Sequence, residues 1–338
     1  MKNDMYSRTV STRRRMLGIL GAVSALALTS AVCMAPARAT GDWPNKPIRI
    51  VVPYAAGQGA DVLTRLVSEH LSQVLKQPIV VENRAGAGGN IGTASVARAA
   101  GDGYTFLLGT NATHAANEFL YPDPGFKPED FAPVAMIGLL PMVVSTTAPD
   151  LPTNGIGALI EKARQHPDTL NVGLPSTTAQ VVFSEFVRAA QAPLFPVRYK
   201  ASGQSMTDVM GGQIPLVIDT VTASRPHIEA GRIKALGITS LRASDMLPGV
   251  KPVSEQGVPG FDVVAWDAFF APSSTPPEIV TRFSDALRDV MAEPALQQRL
   301  RDIGVEPLYM PTADLEAFVR SEREKWGTII REAKISLG

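Results

Sequence analysis

Four groups of residues in this chain have types and spacings that could do chemistry. The first is Val51-Val52-Pro53-Tyr54-Ala55-Ala56-Gly57-Gln58-Gly59-Ala60-Asp61, an apolar run that exits through small residues just before helical periodicity begins. Small residues let a ligand touch the backbone, and free amides at a helix start, with its dipole, attract an anion. The same glycines and alanines would equally serve a tight turn, and Asp61 suits the helix dipole better than an anion. The second group is Gly203-Gln204-Ser205-Met206-Thr207, with Asp219 and His227 after it in the chain order of a secreted α/β hydrolase. It fails at its fifth position, where a nucleophile elbow needs glycine and Thr207 is β-branched. Ser205 suits the first turn of a helix.

The third group, Arg84-Ala85-Gly86-Ala87-Gly88-Gly89 with Gly92, misses the dinucleotide fingerprint by one position and follows the second strand rather than the first. These glycines suit close packing of a helix on a sheet. The fourth group is the histidines: His70, His114, His166 and His227 stand far apart, without metal-ligand spacing. His70 and His166 fall at expected exposed helix ends, and His114 alone has a place near a strand end. No metal and no cofactor is implied.

The first 39 residues read as a secretory signal peptide. Arg13-Arg14-Arg15 precedes an apolar run from about Leu17 to Ala35, and Ala37-Arg38-Ala39 is a small-x-small cleavage site. Thr12 to Leu17 also resembles a twin-arginine export signal, with Met16 where that signal prefers Phe. Removing this segment takes six of the 32 basic residues and one of the 32 acidic ones, leaving a net charge of −5. That mild acidity, with no basic cluster after Arg15, excludes nucleic acid and anionic lipid as partners. Cys33 is the sole cysteine and goes with the segment, so the mature chain forms no disulfide.

Strands and helices must position these groups, and they alternate. Apolar runs at 48 to 53, 78 to 83 and 104 to 110 are separated by helical stripes, the first carrying Val62, Leu63, Leu66, Val67, Leu71, Val74 and Leu75. A second set follows: helices near 155 to 166, 178 to 191 and 204 to 211, with strands at 170 to 175, 196 to 200, 214 to 219 and 233 to 240. The pattern predicts two α/β domains, each a mainly parallel sheet flanked by helices. Extended segments at 142 to 153 and 260 to 278, each ending in a Pro-rich turn, read as strands that cross between them. The expected division is 1–39 signal peptide, 40–145 first domain, 146–264 second domain and 265–338 return to the first. Thr275-Pro276-Pro277-Glu278 has capping-box spacing, and the closing stretch 312 to 335 can turn Leu315, Phe318, Trp326, Ile329 and Ile330 to a core.

At this point the chain resembles a family. VVPYAAGQGAD, VVENRAGAGGNIGTASVARAAGDGYTFLLGT, FAPVAMIG, YKASGQSMTDVMGGQI, GRIKALGIT and EREKWG occur in the order and spacing of the periplasmic Bug receptors of tripartite tricarboxylate transporters. The resemblance runs from about Pro47 to Ile335. It implies a two-domain periplasmic-binding-protein fold of the Venus flytrap kind, a small carboxylate as ligand, the transporter's membrane components as partners, a monomer, and no enzymatic activity. It implies Tyr54, Ala55, Ala56, Gly57 and Gln58 as carboxylate contacts, although the family shows adjacent glycines where this chain has Gly57-Gln58-Gly59. In the second domain it implies Pro175, Ser176 and Thr177, in a loop that is usually rich in Ser and Gly. Pro175 offers no N–H, so that loop leans on hydroxyls.

Asn111 and Thr113 follow the third strand and either line the cleft or do ordinary turn chemistry. Asp219 follows a strand of the second set; it could repel a second carboxylate, bind a ligand amine, or only cap the next helix. Lys200 is the nearest counter-charge, or a solvated surface lysine.

Overall fold

The computed structural model describes residues 43–336, so the segment expected to direct export lies outside the described residues. From Trp43 onward the chain is one compact unit. Its strands form two sheets. The first contains β1 (Ile48–Val52), β2 (Ile79–Asn83), β3 (Thr105–Thr110), β4 (Phe131–Leu140), β10 (Ala265–Pro272) and β11 (Glu306–Pro311), in the order β11-β4-β10-β3-β1-β2. The second contains β5 (Met142–Thr146), β6 (Asn171–Leu174), β7 (Phe195–Arg198), β8 (Leu216–Thr220) and β9 (Lys234–Ile238), in the order β7-β6-β8-β5-β9.

Both sheets are mixed. β1 pairs in parallel with β2 and β3, and β6 with β7 and β8, as the alternating pattern requires. The segments read as crossings are strands inside the sheets. β5 lies antiparallel between β8 and β9, and β10 antiparallel between β3 and β4. The chain changes sheet at Pro141, between β4 and β5, whereas the boundary expected from sequence stood at 145/146. Both strands are buried throughout or nearly so, and such a run does not tell an in-sheet strand from a linker.

Helix α1 (Gly59–Leu75) buries Leu63, Leu66, Val67, Leu71 and Leu75, but Val62 and Val74 are exposed. At about 100° per residue Val62 falls on the far side of the helix from the stripe through Leu63, Val67 and Leu71. Val74 stands in the last turn and is left uncovered. α2 (Asn90–Ala97) packs close: a Cβ on Gly92 would lie 2.7 Å from the Arg84 carbonyl oxygen and 2.8 Å from Pro53 Cα. Residues Ala112–Ala116 form a π-helical turn that leads into α3 (Asn117–Leu120). The second sheet carries α4 (Ile156–Gln165), α5 (Thr177–Ala190), α6 (Ser202–Met210) and α7 (Val221–Glu229). The return segment adds α8 (Pro277–Met291), α9 (Pro294–Asp302) and α10 (Thr312–Glu332).

The expected capping box at α8 does not form. Pro277 takes the first helical position, which makes Pro276 the cap, and the Thr275 hydroxyl is buried without a partner. One apolar core joins α1 and α8 to a face of the first sheet, with Phe106 stacked on Phe283 at 4.0 Å. A second runs from Leu107, Trp266 and Phe270 through Trp326 of α10 to Val172 and Phe186 beside the second sheet. Trp266 and Trp326 both donate to Glu322, at 3.1 and 2.8 Å. Among the described residues no helix is long and apolar enough to cross a membrane.

Candidate functional site

The carboxyl ends of β1, β3, β6 and β8 carry the candidate residues, where open α/β sheets bind ligands. The loop from β1 to α1 is held from below. Asp61, 2% exposed, accepts the Gly57 amide at 2.8 Å and the Asn83 amide nitrogen at 2.9 Å, and pairs with Arg65 at 2.9 Å. Burial alone would raise the Asp61 carboxyl, but the bonds from Arg65, Gly57 and Asn83 outweigh it and hold the group below the usual carboxylate range. Asn83 also donates to the Tyr54 carbonyl at 3.1 Å.

These anchors fix the loop from its inner side and leave its outer side open. Ala55, Ala56, Gly57, Gln58 and Gly59 are exposed, and Gln58 caps α1 with its backbone geometry alone, its side chain making no cap bond. Among the described residues, the amides of Ala55, Ala56, Gly59 and Ala60 have no protein acceptor. They stand at the positive end of a 17-residue helix. Gly57 has φ +82°, the left-handed region that favours glycine, and a Cβ there would meet nothing within 4 Å. Tyr54 faces inward instead. Its hydroxyl lies 2.8 Å from Thr110 Oγ1, and burial pushes the phenol's pKa up.

Asn111 reaches between the two sheets' halves, donating to Thr178 Oγ1 at 3.1 Å. Thr113 turns inward: 3% exposed, its hydroxyl accepts the Thr110 amide at 3.0 Å and so secures the end of β3. His114 beside it is stacked on Phe270 at 3.7 Å, and burial and Arg323 lower its pKa to about 3, keeping it neutral. In the loop after β6, Pro175 is buried, and the Ser176 hydroxyl accepts the Ala179 amide at 3.1 Å as the cap of α5. Thr177 is half-buried, and the residue that meets Asn111 is Thr178, one position on.

Asp219 is 1% exposed. Its Oδ1 accepts the Thr220 amide at 2.7 Å while Oδ2 has no partner, and burial pushes its pKa up to about 6 against the opposing Thr220 bond. The helix cap that sequence offered as its role belongs to Thr220, which accepts the Ala223 amide at 3.2 Å. Lys200 is exposed on the surface, without an ion pair among the described residues.

The hydrolase constellation does not assemble. Ser205 Oγ donates to the Ser202 carbonyl at 2.9 Å, and no hydrogen bond joins Ser205, Asp219 and His227. His70, expected exposed, instead lies 2.5 Å from Glu293 Oε2 at the start of α9, because α9 packs on α1. Among the described residues no group of three His, Cys, Asp or Glu side chains could hold a metal.

Concavity points elsewhere. A hollow of about 450 Å³ lies between α5, residues 260 to 263 and α10, lined by Glu185, Arg188, Asp262 and Lys325 among others. Arg188 pairs with Glu185 there, whereas the strand-end loops hold backbone amides and buried carboxyl oxygens without partners among the described residues. Sequence reasoning missed Asp267 of β10, paired in register with Thr110, because a lone acid in an apolar run has no motif.

The family of tripartite tricarboxylate transporter receptors matches residues 63–335 of the chain. The chain belongs to that family. Protein BugT of Bordetella pertussis is 32% identical over 327 residues, which cover 96% of this chain and 98% of BugT. A solved R. palustris protein with adipate has 34% identity and a TM-score of 0.78, covering 88% of this chain and 100% of its own. The structure of the periplasmic binding protein BugD has 29% identity and a TM-score of 0.74, over 87% of this chain and 100% of its own. The fold of this receptor is the Venus flytrap of periplasmic binding proteins, and its family are solute-binding receptors rather than enzymes.

Proposed function

We propose that this receptor captures a small carboxylate in the periplasm, between the loops after β1 and β6, for the membrane components of a tripartite tricarboxylate transporter. The observation that carries this reading is the row of unpartnered amides at Ala55, Ala56, Gly59 and Ala60, at the positive end of α1. Such a cradle recognises a carboxylate through charge-assisted hydrogen bonds and a dipole, with no cationic side chain. The adipate of the R. palustris neighbour supports the same ligand class. Asn111 and Thr178, from the two halves, stand where closure would enclose the ligand.

In this reading the first half comprises 40–141 and 265–338, the second 142–264, and the receptor works as a monomer exported by residues 1–39. Sequencing the amino terminus of periplasmic protein should find Thr40 first, and an intact Met1 there would overturn that processing. The ligand reading is tested by calorimetry of the receptor with mono-, di- and tricarboxylates of graded length. One of them should bind, and silence across the whole panel would overturn the reading.

A further inference from the structure

Three acceptor oxygens stand among the polar atoms left over around the strand ends, with His114 Nε2 a further unpartnered atom beside β3. Asp267 Oδ2, Asp219 Oδ2 and Gln180 Oε1 are buried without a hydrogen-bond partner, and each is an oxygen able to accept. Asp267 is the most isolated of them. It is 3% exposed, and its Oδ2 has no hydrogen-bond partner among the described residues. Its cross-strand partner Thr110 ends β3, holds the Tyr54 hydroxyl at 2.8 Å, and directly precedes Asn111, which reaches Thr178. Asp267 therefore lies beside the floor of the cleft, while the unpartnered donors are on the loop from Ala55 to Ala60.

We propose that Asp267 is a specificity-determining residue, accepting a hydrogen bond from a hydroxyl or ammonium group that the ligand carries beside its carboxylate. This rests on the carboxylate reading of the loops and narrows it from carboxylates at large to hydroxy and amino acids. A plain dicarboxylate would satisfy the amides and leave the buried acid unpaired, which costs the complex that hydrogen bond.

The surroundings support the assignment. Burial pushes the Asp267 carboxyl up to about 7, and the titratable group facing it is the Tyr54 phenol, which offers no positive charge. Its neighbours Thr110 on β3 and Gly138 on β4 are uncharged. Trp266, on the other face of β10, takes Glu322 of α10 away from it. A ligand donor in contact favours the ionised carboxylate, so binding releases protons below pH 7 and tightens as the pH rises from 6 to 8.

The test is calorimetry on length-matched sets: succinate, malate and aspartate; glutarate, 2-hydroxyglutarate and glutamate; adipate and 2-aminoadipate. Each is run at pH 6 and 8 in buffers of different ionisation enthalpy, on the wild type and Asp267→Asn. We expect the donor-bearing member of the preferred length to bind about tenfold or more tighter than the plain diacid. Asp267→Asn should shrink that ratio to about threefold or less and abolish the proton release, with binding of the plain diacid kept. Asp267→Ser provides the same reading if the amide variant does not fold. Equal binding of plain and donor-bearing acids by the wild type, a ratio that survives in both variants, or proton uptake in place of release overturns this inference alone. Binding of no acid in any set overturns it together with the carboxylate reading.

Discussion

Replacing Gly57 by valine should abolish carboxylate binding while the fold persists. The structure assigns the cause to the backbone. A Cβ at Gly57 would meet nothing within 4 Å, so valine clashes with no neighbour, but φ of +82° is a region that β-branched residues avoid. Holding a non-glycine residue there costs about 1–2 kcal/mol. The loop escapes that strain by rotating, which breaks the 2.8 Å bond from the Gly57 amide to Asp61 and displaces the neighbouring amides of Ala55 and Ala56. The free protein should therefore lose about 1–2 kcal/mol and melt a few degrees lower. The wild type, at a ligand concentration about 100 times Kd, should gain about 2.7 kcal/mol of stability, and the valine variant almost none of it. Gly57→Ala should weaken binding less, since alanine tolerates the left-handed region better than a β-branched residue. Lys200→Ala should bind within about twofold of wild type, an exposed lysine adding little. Thermal unfolding with and without ligand, followed by calorimetry, reads all three. If the valine variant binds as wild type and Lys200→Ala does not, the amide cradle is not the site.

Three further outcomes rest on individual contacts. Asn111→Ala removes the bond to Thr178 between the two halves and should weaken ligand affinity about three- to tenfold, mainly through faster dissociation; an unchanged off-rate by stopped flow would remove Asn111 from closure. Asp61 has its folded pKa lowered, so its contribution is present above the ordinary carboxylate range and disappears as pH falls through the folded value. Asp61→Asn should accordingly be about 1–3 kcal/mol less stable than wild type at pH 7, with the gap closing in acid; a gap that stays constant down to about pH 2 would contradict the assignment. Glu322→Ala strands two buried indole N–H groups, of Trp266 and Trp326, and should cost about 3 kcal/mol or more in urea unfolding, a loss under about 1 kcal/mol being incompatible with those bonds.

The order of amino acids alone places strands at 48 to 53, 78 to 83 and 104 to 110, each within one residue of the observed bounds, and the helices between them, because their apolar spacing encodes which face is buried. It also marks the loop at 54 to 60, since small residues at a strand-to-helix junction are a local signal with a local cause. The order and spacing of its short motifs carry the family. The rest depends on the folded chain. β10 reads as an extended segment whether it links two domains or pairs with β3 and β4, and only the presence of those partners makes it a central strand. The roles of neighbouring hydroxyls separate in the same way: Ser176 and Thr113 are spent on backbone amides, while Thr178 meets Asn111, from 67 residues earlier in the chain. Asp267 is the extreme case, a buried acid whose Oδ2 has no hydrogen-bond partner among the described residues, which no local pattern announces. Periodicity reports how a residue faces its own element, whereas the partners of a buried polar atom come from strands and loops distant in sequence, and those are brought together only when the sheets close on one another.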